Sequence, residues 1–237
     1  MNGKKDGVLM ACYACLLVIG GLLTWLKYDY NAVKMEDVRE ACGYVSASAT
    51  PVEAPKIALT FDDGPSAAWT PVLLDGLKER GVKATFFLIG ENADKNPEIV
   101  KRMAEEGHLI GNHTYHHVEL TKVSENEARL ELADTSAVIV RITGKEPEYM
   151  RPPFGAWQRK LEQEIQMLPV LWTIDPLDWT TENQDEIVNK VVTEAEENDI
   201  ILLHDCYKSS IEAGLRIIDI LQEEGFVFVT VDELLLN

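Results

Sequence analysis

The sequence predicts an α/β fold: a mostly parallel sheet of about seven strands, covered by helices and closed into a barrel or incomplete barrel, with one N-terminal transmembrane helix ahead of it. Three observations predict it. From residue 56 onward, short apolar runs alternate with amphipathic stretches of helical period. Polar residues suited to chemistry stand at the C-terminal ends of five separate runs, the end at which (β/α) barrels carry their sites. Residues 8–26 are an almost unbroken apolar run without a charge.

That first run is long enough to cross a bilayer as a helix. A cleaved secretory signal is the alternative. Against cleavage, no small-x-small site closes the run, and Trp25-Leu26-Lys27-Tyr28 follows. Lys4 and Lys5 on one flank and Lys27, Lys34 and Arg39 on the other leave orientation undecided by charge alone. Residues 28–55 mix charge, small residues and two prolines and read as a tether, with a short helix possible at 36–42. The expected organisation is a tail at 1–7, a membrane anchor at 8–27, a linker at 28–55 and the folded domain at 56–237.

Within the domain, strands are expected at 57–61, 84–89, 108–112, 149–151, 170–174, 200–203 and 226–231. Helices are expected at 69–80 and 97–106, which end at Gly81 and Gly107. A third runs over 124–142; it opens on a capping-box pattern, Ser124 with Glu127, and ends near Gly144. Residues 158–167, 184–197 and 209–224 complete the set.

The net charge of −18 makes a polyanion an unfavourable partner, so no nucleic-acid role is expected. The four cysteines do not form a disulfide framework. Cys12 and Cys15 lie in the apolar run, and Cys42 and Cys206 are either a bridge or two free thiols.

Five segments carry the chemistry. Thr60-Phe61-Asp62-Asp63-Gly64-Pro65 puts two carboxylates side by side at a strand end, where they repel unless a cation compensates. His113-Thr114-Tyr115-His116-His117 places histidines four apart, with His116 able to substitute for His117. Asp63, His113 and His117 would make an O,N,N triad with open positions for water and substrate. Arg151-Pro152-Pro153-Phe154-Gly155 joins a cation, able to fork onto a carboxylate, to a rigid turn. Asp175-Pro176-Leu177-Asp178-Trp179 adds two carboxylates and an aromatic surface for a sugar ring. Leu202-Leu203-His204-Asp205 ends a buried strand on a histidine. With Asp62 left as proton acceptor and His204 as donor, this is the equipment of a metal-assisted hydrolase. His108, inside an apolar run, reads as structural.

The five segments, in this order, resemble the motifs of the polysaccharide deacetylase family, carbohydrate esterase family four, over residues 56–237. The resemblance implies a distorted (β/α) barrel with fewer than eight regular units. It implies Asp62 as catalytic base, Arg151 as the arginine that holds it, and His204 as general acid with Asp178 as its partner. Asp63, His113 and His117 match the metal ligands, zinc being expected and cobalt or another divalent ion possible; Thr114 matches a hydroxyl residue that braces the histidine loop. The Phe154 N–H would meet the oxyanion, and Trp179 and Leu202 would wall the acetyl pocket. Phe154 departs from the tyrosine of many relatives, which removes one hydroxyl contact. The implied substrate is an acetylated glycan polymer: the N-acetylglucosamine units of peptidoglycan first, chitin-like glycans or O-acetylated xylan as alternatives. With the anchor, this places the domain at the cytoplasmic membrane, on its extracytoplasmic side. The rival class, a non-catalytic glycan-binding barrel, would be supported by loss of the base or a ligand, and none is lost.

Overall fold

The computed structural model describes residues 54–157 and 165–236. The apolar run, the tether and most of the expected 158–167 helix lie outside the described residues. Among the described residues, no helix is long and apolar enough to cross a membrane.

Among the described residues, seven parallel strands form one curled sheet. β1 (Lys56–Asp62) is central, with β6 (Ile200–His204) along one edge. On its other edge, β7 (Val227–Val229) pairs with its first residues and β2 (Thr85–Leu88) with its last. From β2 the order continues to β3 (Leu109–Asn112), β4 (Tyr149–Met150) and β5 (Leu168–Pro169). The helices are α1 (Thr70–Glu79), α2 (Gly90–Lys95), α3 (Pro97–Glu105), α4 (Glu125–Thr143), α5 (Gln184–Glu194), α6 (Lys208–Glu223) and α7 (Val231–Leu235).

The helix-to-strand switches follow from local chemistry. Gly81 and Gly107 stand at φ +67° and +82°, a region open to glycine without steric cost. There the next residue's N–H turns back onto the helix, Val82 to the Leu77 carbonyl and His108 to that of Met103, and the chain leaves directly into β2 and β3. At the start of α4, the Ser124 hydroxyl accepts from the Glu127 N–H, as its spacing predicts.

Strand alternation sorts the two faces of the sheet. Ile57, Leu59 and Phe61 of β1, with Ile201 and Leu203 of β6, face the helices and join the main core with Leu73, Leu77 and Ile217. Burying each such side chain contributes roughly 1.5–3 kcal/mol. Ala58, Phe87 and Ile200 face the barrel interior, where Val231 and Leu234 of α7 plug the N-terminal end of the strands. Above that plug the interior column turns polar at Thr60 and Asp62 on β1 and, past the apolar Leu202, at His204 on β6. The alternation that builds the core therefore delivers the reactive groups to the rim.

One expected strand is divided. Residues 168–170 pair with β4, whereas Ile174 bridges to Ile201 of β6, so this stretch joins the two ends of the strand order. Between them, the Val170 and Leu171 carbonyls accept from the Arg151 guanidinium at 3.1 Å each and are lost to the ladder. An internal arginine has replaced strand pairing at this seam. The short helices α2 and α7 were not among the expected elements.

Candidate active site

Asp62 ends β1, and Asp63 follows it in the left-handed region at φ 72°. The turn continues through Gly64, against which Asp205 packs so closely that a Cβ there would lie 2.3 Å from both carboxylate oxygens. Among the described residues, six that are not glycine take positive φ, and Asp63, Thr114, His117, Phe154 and Leu177 all stand on the loops at this rim. Such conformations cost on the order of 1–3 kcal/mol each and persist only where the surroundings hold them.

Much of that hold comes from α2. Its Asn92 amide donates to the Asp63 carbonyl at 2.8 Å, and the Ile89 N–H ahead of it to the Gly64 carbonyl at 3.1 Å. Gly90 and Glu91 N–H donate to the carbonyls of Thr114 and Tyr115. The helix thus clamps the aspartate turn and the histidine loop together. On the far side of the histidine loop, Glu131 of α4 accepts from the Tyr115 and His116 amides at 2.9 and 2.7 Å, and its other oxygen lies 2.8 Å from His116 Nδ1. The ambiguity between the two histidines is resolved in geometry: His116 faces Glu131, and His117 faces Asp63.

Asp63 Oδ1 lies 3.4 Å from His113 Nε2 and 3.3 Å from His117 Nε2. This oxygen is buried without a hydrogen-bond partner. His113 Nδ1 is 2.6 Å from the Arg151 carbonyl, an acceptor only, so the proton sits on Nδ1 and the Nε2 lone pair faces the cluster. Separations near 3.3 Å are the edges of a tetrahedron whose bonds are about 2.0–2.1 Å, the lengths zinc takes to imidazole and carboxylate. The donor set therefore fits a divalent transition metal. Burial alone raises the Asp63 carboxyl, but His113, with His117 and His204, brings it below the usual carboxylate range. Burial lowers His117, which favours the neutral ligand form.

Beside the cluster, Asp62 is 3 % exposed and its Oδ1 accepts from Arg151 Nη1 at 2.8 Å. Arg151 is fully buried; it also donates to the Thr60 hydroxyl at 2.7 Å and lies 4.3 Å over the Phe87 ring. Burial works against its charge and Asp62 supports it. Four of the guanidinium's five N–H groups thus meet an acceptor, and one of these acceptors is a carboxylate, the kind of pairing under which an interior charge is tolerated. Asp62 Oδ2 remains 3.7 Å from His113 Nε2, facing the cluster.

His204 approaches from β6. Asp178 accepts from its backbone N–H at 2.8 Å and contacts its Nδ1 at 2.8 Å. Burial lowers the imidazolium, but Asp178, then Asp62 and Asp63, more than offset this and raise it to about 9. The histidine is a cation at neutral pH with a proton to give. Leu202, two residues earlier on the same strand face, is buried, and Trp179 is 56 % exposed. The Phe154 ring, 67 % exposed, packs 4.8 Å from that of His117.

The sequence reading missed four supports: Asn92, Glu131, Asn112 and Thr60. It also gave Thr114 a bracing hydroxyl, yet Thr114 Oγ1 has no hydrogen-bond partner. Asn112 braces the loop instead; its Oδ1 accepts from the Thr114 N–H, and its Nδ2 donates to the Leu132 carbonyl and the Ser136 hydroxyl. For Glu131 a signal existed, a carboxylate in the same helical stripe as Ala128, Leu132 and Thr135. Asp175, expected at the rim, caps the Leu177 N–H of its own turn. Cys206 is a free thiol, and Cys42 lies outside the described residues.

The sequence profile described as polysaccharide deacetylase matches residues 49–171, over half of the sequence. The chain belongs to the polysaccharide deacetylase family. It is therefore placed among hydrolases that remove acetyl groups from polysaccharides. Among its relatives is a peptidoglycan-N-acetylglucosamine deacetylase of Bacillus cereus, 43 % identical over 79 % of this chain and 70 % of the relative. The peptidoglycan-N-acetylglucosamine deacetylase PgdA of Listeria monocytogenes is 39 % identical over 85 % of this chain, which spans 45 % of that longer protein. The solved structure of the peptidoglycan deacetylase PdaC from Bacillus subtilis superposes with a TM-score of 0.75 at 40 % identity, covering 77 % of this chain and 90 % of that one.

Proposed function

We propose that this chain hydrolyses the N-acetyl group of N-acetylglucosamine units in peptidoglycan, releasing acetate and leaving the free amine. The observation that carries the reading is the pairing of opposite proton roles across one cluster. Asp62, held by Arg151, faces the Asp63–His113–His117 group as an acceptor, and His204, held by Asp178, stands ready as a donor. The named activities of the Bacillus cereus and Listeria relatives favour peptidoglycan over chitin-like glycans or acetylated xylan.

Asp63, His113 and His117 would hold a divalent ion, zinc by preference, which when bound would supply the Lewis-acid charge that acidifies water and polarises a carbonyl. Asp62 takes a proton from the attacking water, and Arg151 keeps the carboxylate aimed while it does so. The water oxygen adds to the amide carbon. The backbone N–H of Phe154 is assigned to the oxygen that gains charge, where a fixed donor contributes most. His204 gives its proton to the amide nitrogen, the C–N bond breaks, and the amine leaves. Trp179 and Leu202 enclose the acetyl methyl.

The same proposal places residues 8–27 in the cytoplasmic membrane and the catalytic domain outside it, within reach of the wall by the 28–55 tether. Long domains cross membranes largely regardless of flanking charge, which answers the ambiguous lysine pattern. The decisive experiment is acetate release from peptidoglycan, chitooligosaccharide and acetylxylan side by side, with zinc or a chelator. Release from peptidoglycan above the other two, abolished by chelation, is expected; preference for acetylxylan would overturn the substrate assignment.

A further inference from the structure

A cavity of about 510 Å³ opens next to the catalytic histidine, between the 178–182 turn and the start of α6. Tyr207 and Trp179 line it, and both leave large aromatic faces in solvent, 42 % and 56 % exposed. Nothing in the hydrolytic chemistry uses Tyr207. Its ring centroid is 6.4 Å from that of His204, and Asp178, which grips His204, lines the same cavity. The cavity therefore abuts the side of the site on which the leaving amine is protonated.

Its polar lining is ordered. Gln184 of α5 donates to Glu212 of α6 at 2.5 Å, and the Lys208 ammonium lies 3.5 Å from the other Glu212 oxygen. A planar amide and a planar carboxylate are thus fixed side by side, offering donors and acceptors together. Lys208 is answered by Glu212, and Glu182 adds negative charge, so an anionic ligand is disfavoured. An apolar ligand would leave the second N–H of the Gln184 amide and the remaining acceptor positions of the Glu212 carboxylate unmatched. Aromatic faces beside paired donors and acceptors suit a neutral ring with an apolar C–H face and a hydroxyl edge.

We infer that this cavity is a second sugar subsite. It holds a pyranose unit adjoining the one that is deacetylated, with Tyr207 as its stacking platform and Gln184 and Glu212 binding its hydroxyls. The inference rests on the deacetylase reading for its substrate, and it makes Tyr207 the determinant of chain-length preference.

The test compares wild type, Tyr207→Ala and Tyr207→Phe on N-acetylglucosamine oligomers of increasing length, by acetate release and by calorimetric binding. Wild-type kcat/KM should rise with length. Tyr207→Ala should match wild type on the shortest substrate and lose about tenfold on the longest, through KM with kcat retained, the scale of one aromatic contact. Tyr207→Phe should keep the wild-type profile, because the stacking face remains. A Tyr207→Ala enzyme that preserves the length dependence, or loses kcat equally at every length, overturns the subsite. If wild type releases no acetate from any oligomer, the deacetylase reading fails. The binding arm then still decides: about tenfold weaker binding of the longest oligomer by Tyr207→Ala alone supports the subsite, and equal binding by all three proteins overturns it.

Discussion

Asp178 holds His204 at two points, accepting from the backbone N–H and meeting ring Nδ1, both at 2.8 Å. One carboxylate thus fixes where the strand end sits, how the imidazole is turned, and its charge. The proton on Nδ1 is committed to Asp178, so Nε2 is the atom that can give one to substrate.

The pH dependence follows from this pair. Burial lowers His204, and Asp178, with Asp62 and Asp63, raises it to about 9. An acid must be protonated, so activity should hold through neutrality and fall as pH rises through about 9. The pair's contribution to stability has the same sign: it is full below the ordinary histidine value near 6.5 and is lost as pH climbs to about 9. Asp178→Asn removes the compensating charge and leaves burial in place. Its alkaline limb should move to lower pH, with kcat reduced ~10²–10⁴-fold. A pH–rate profile checks this, and an unmoved alkaline limb would assign it to another group.

Gly64 and Asp205 meet under the aspartate turn. A Cβ at Gly64 would lie 2.3 Å from both Asp205 oxygens. Asp205 is fully buried, accepts from the Thr70 hydroxyl at 2.5 Å, and is pushed by burial up to about 7. Gly64→Ala should therefore destabilise the domain by about 1–3 kcal/mol, the cost of overpacking. Adding Asp205→Ala makes room for the methyl group, so the double variant should lose less than the sum of the singles. Denaturant unfolding measures the cycle. Simple additivity would mean that the turn moves aside freely.

How far the sequence could be read depended on whether a signal was local. The strands at 57–61 and 200–203 were legible because both sheet faces are covered, leaving continuous apolar runs that end in Asp62 and His204. Gly81 and Gly107 announced their helix ends because glycine there answers a local backbone demand. The split of the 170–174 run was illegible, since it depends on Arg151 reaching across the interior to two carbonyls. Helix α2 was hidden by its length of six residues and by polar side chains that serve neighbouring loops rather than a core. Asp63, His113 and His117 were readable as donors, but that His117 rather than His116 faces Asp63 depended on Glu131, fifteen residues from His116.

The anchor assignment predicts fractionation behaviour. The full chain should sediment with membranes and require detergent for release. Deleting residues 1–27 should give a soluble domain with undiminished acetate release, because the described fold begins beyond the tether. Recovery of the full-length gene product in the soluble fraction, with a new N-terminus after residue 26, would establish a cleaved signal instead.

The adjacent aspartates provide the most discriminating test, because two identical side chains are assigned different work. Asp62 accepts from Arg151 at 2.8 Å and is 3 % exposed; Asp63 Oδ1 has no hydrogen-bond partner and faces both histidine Nε2 atoms. Asp62→Asn should keep stoichiometric zinc, since Asp63, His113 and His117 remain. It should lose ~10²–10⁴-fold in kcat, because an amide cannot take the proton. Asp63→Asn should lose zinc and recover part of its activity in excess metal, and His113→Ala should also lose zinc. Elemental analysis after dialysis, alongside acetate release across a zinc titration, separates these outcomes. Zinc rescue of Asp62→Asn and not of Asp63→Asn would exchange the two roles.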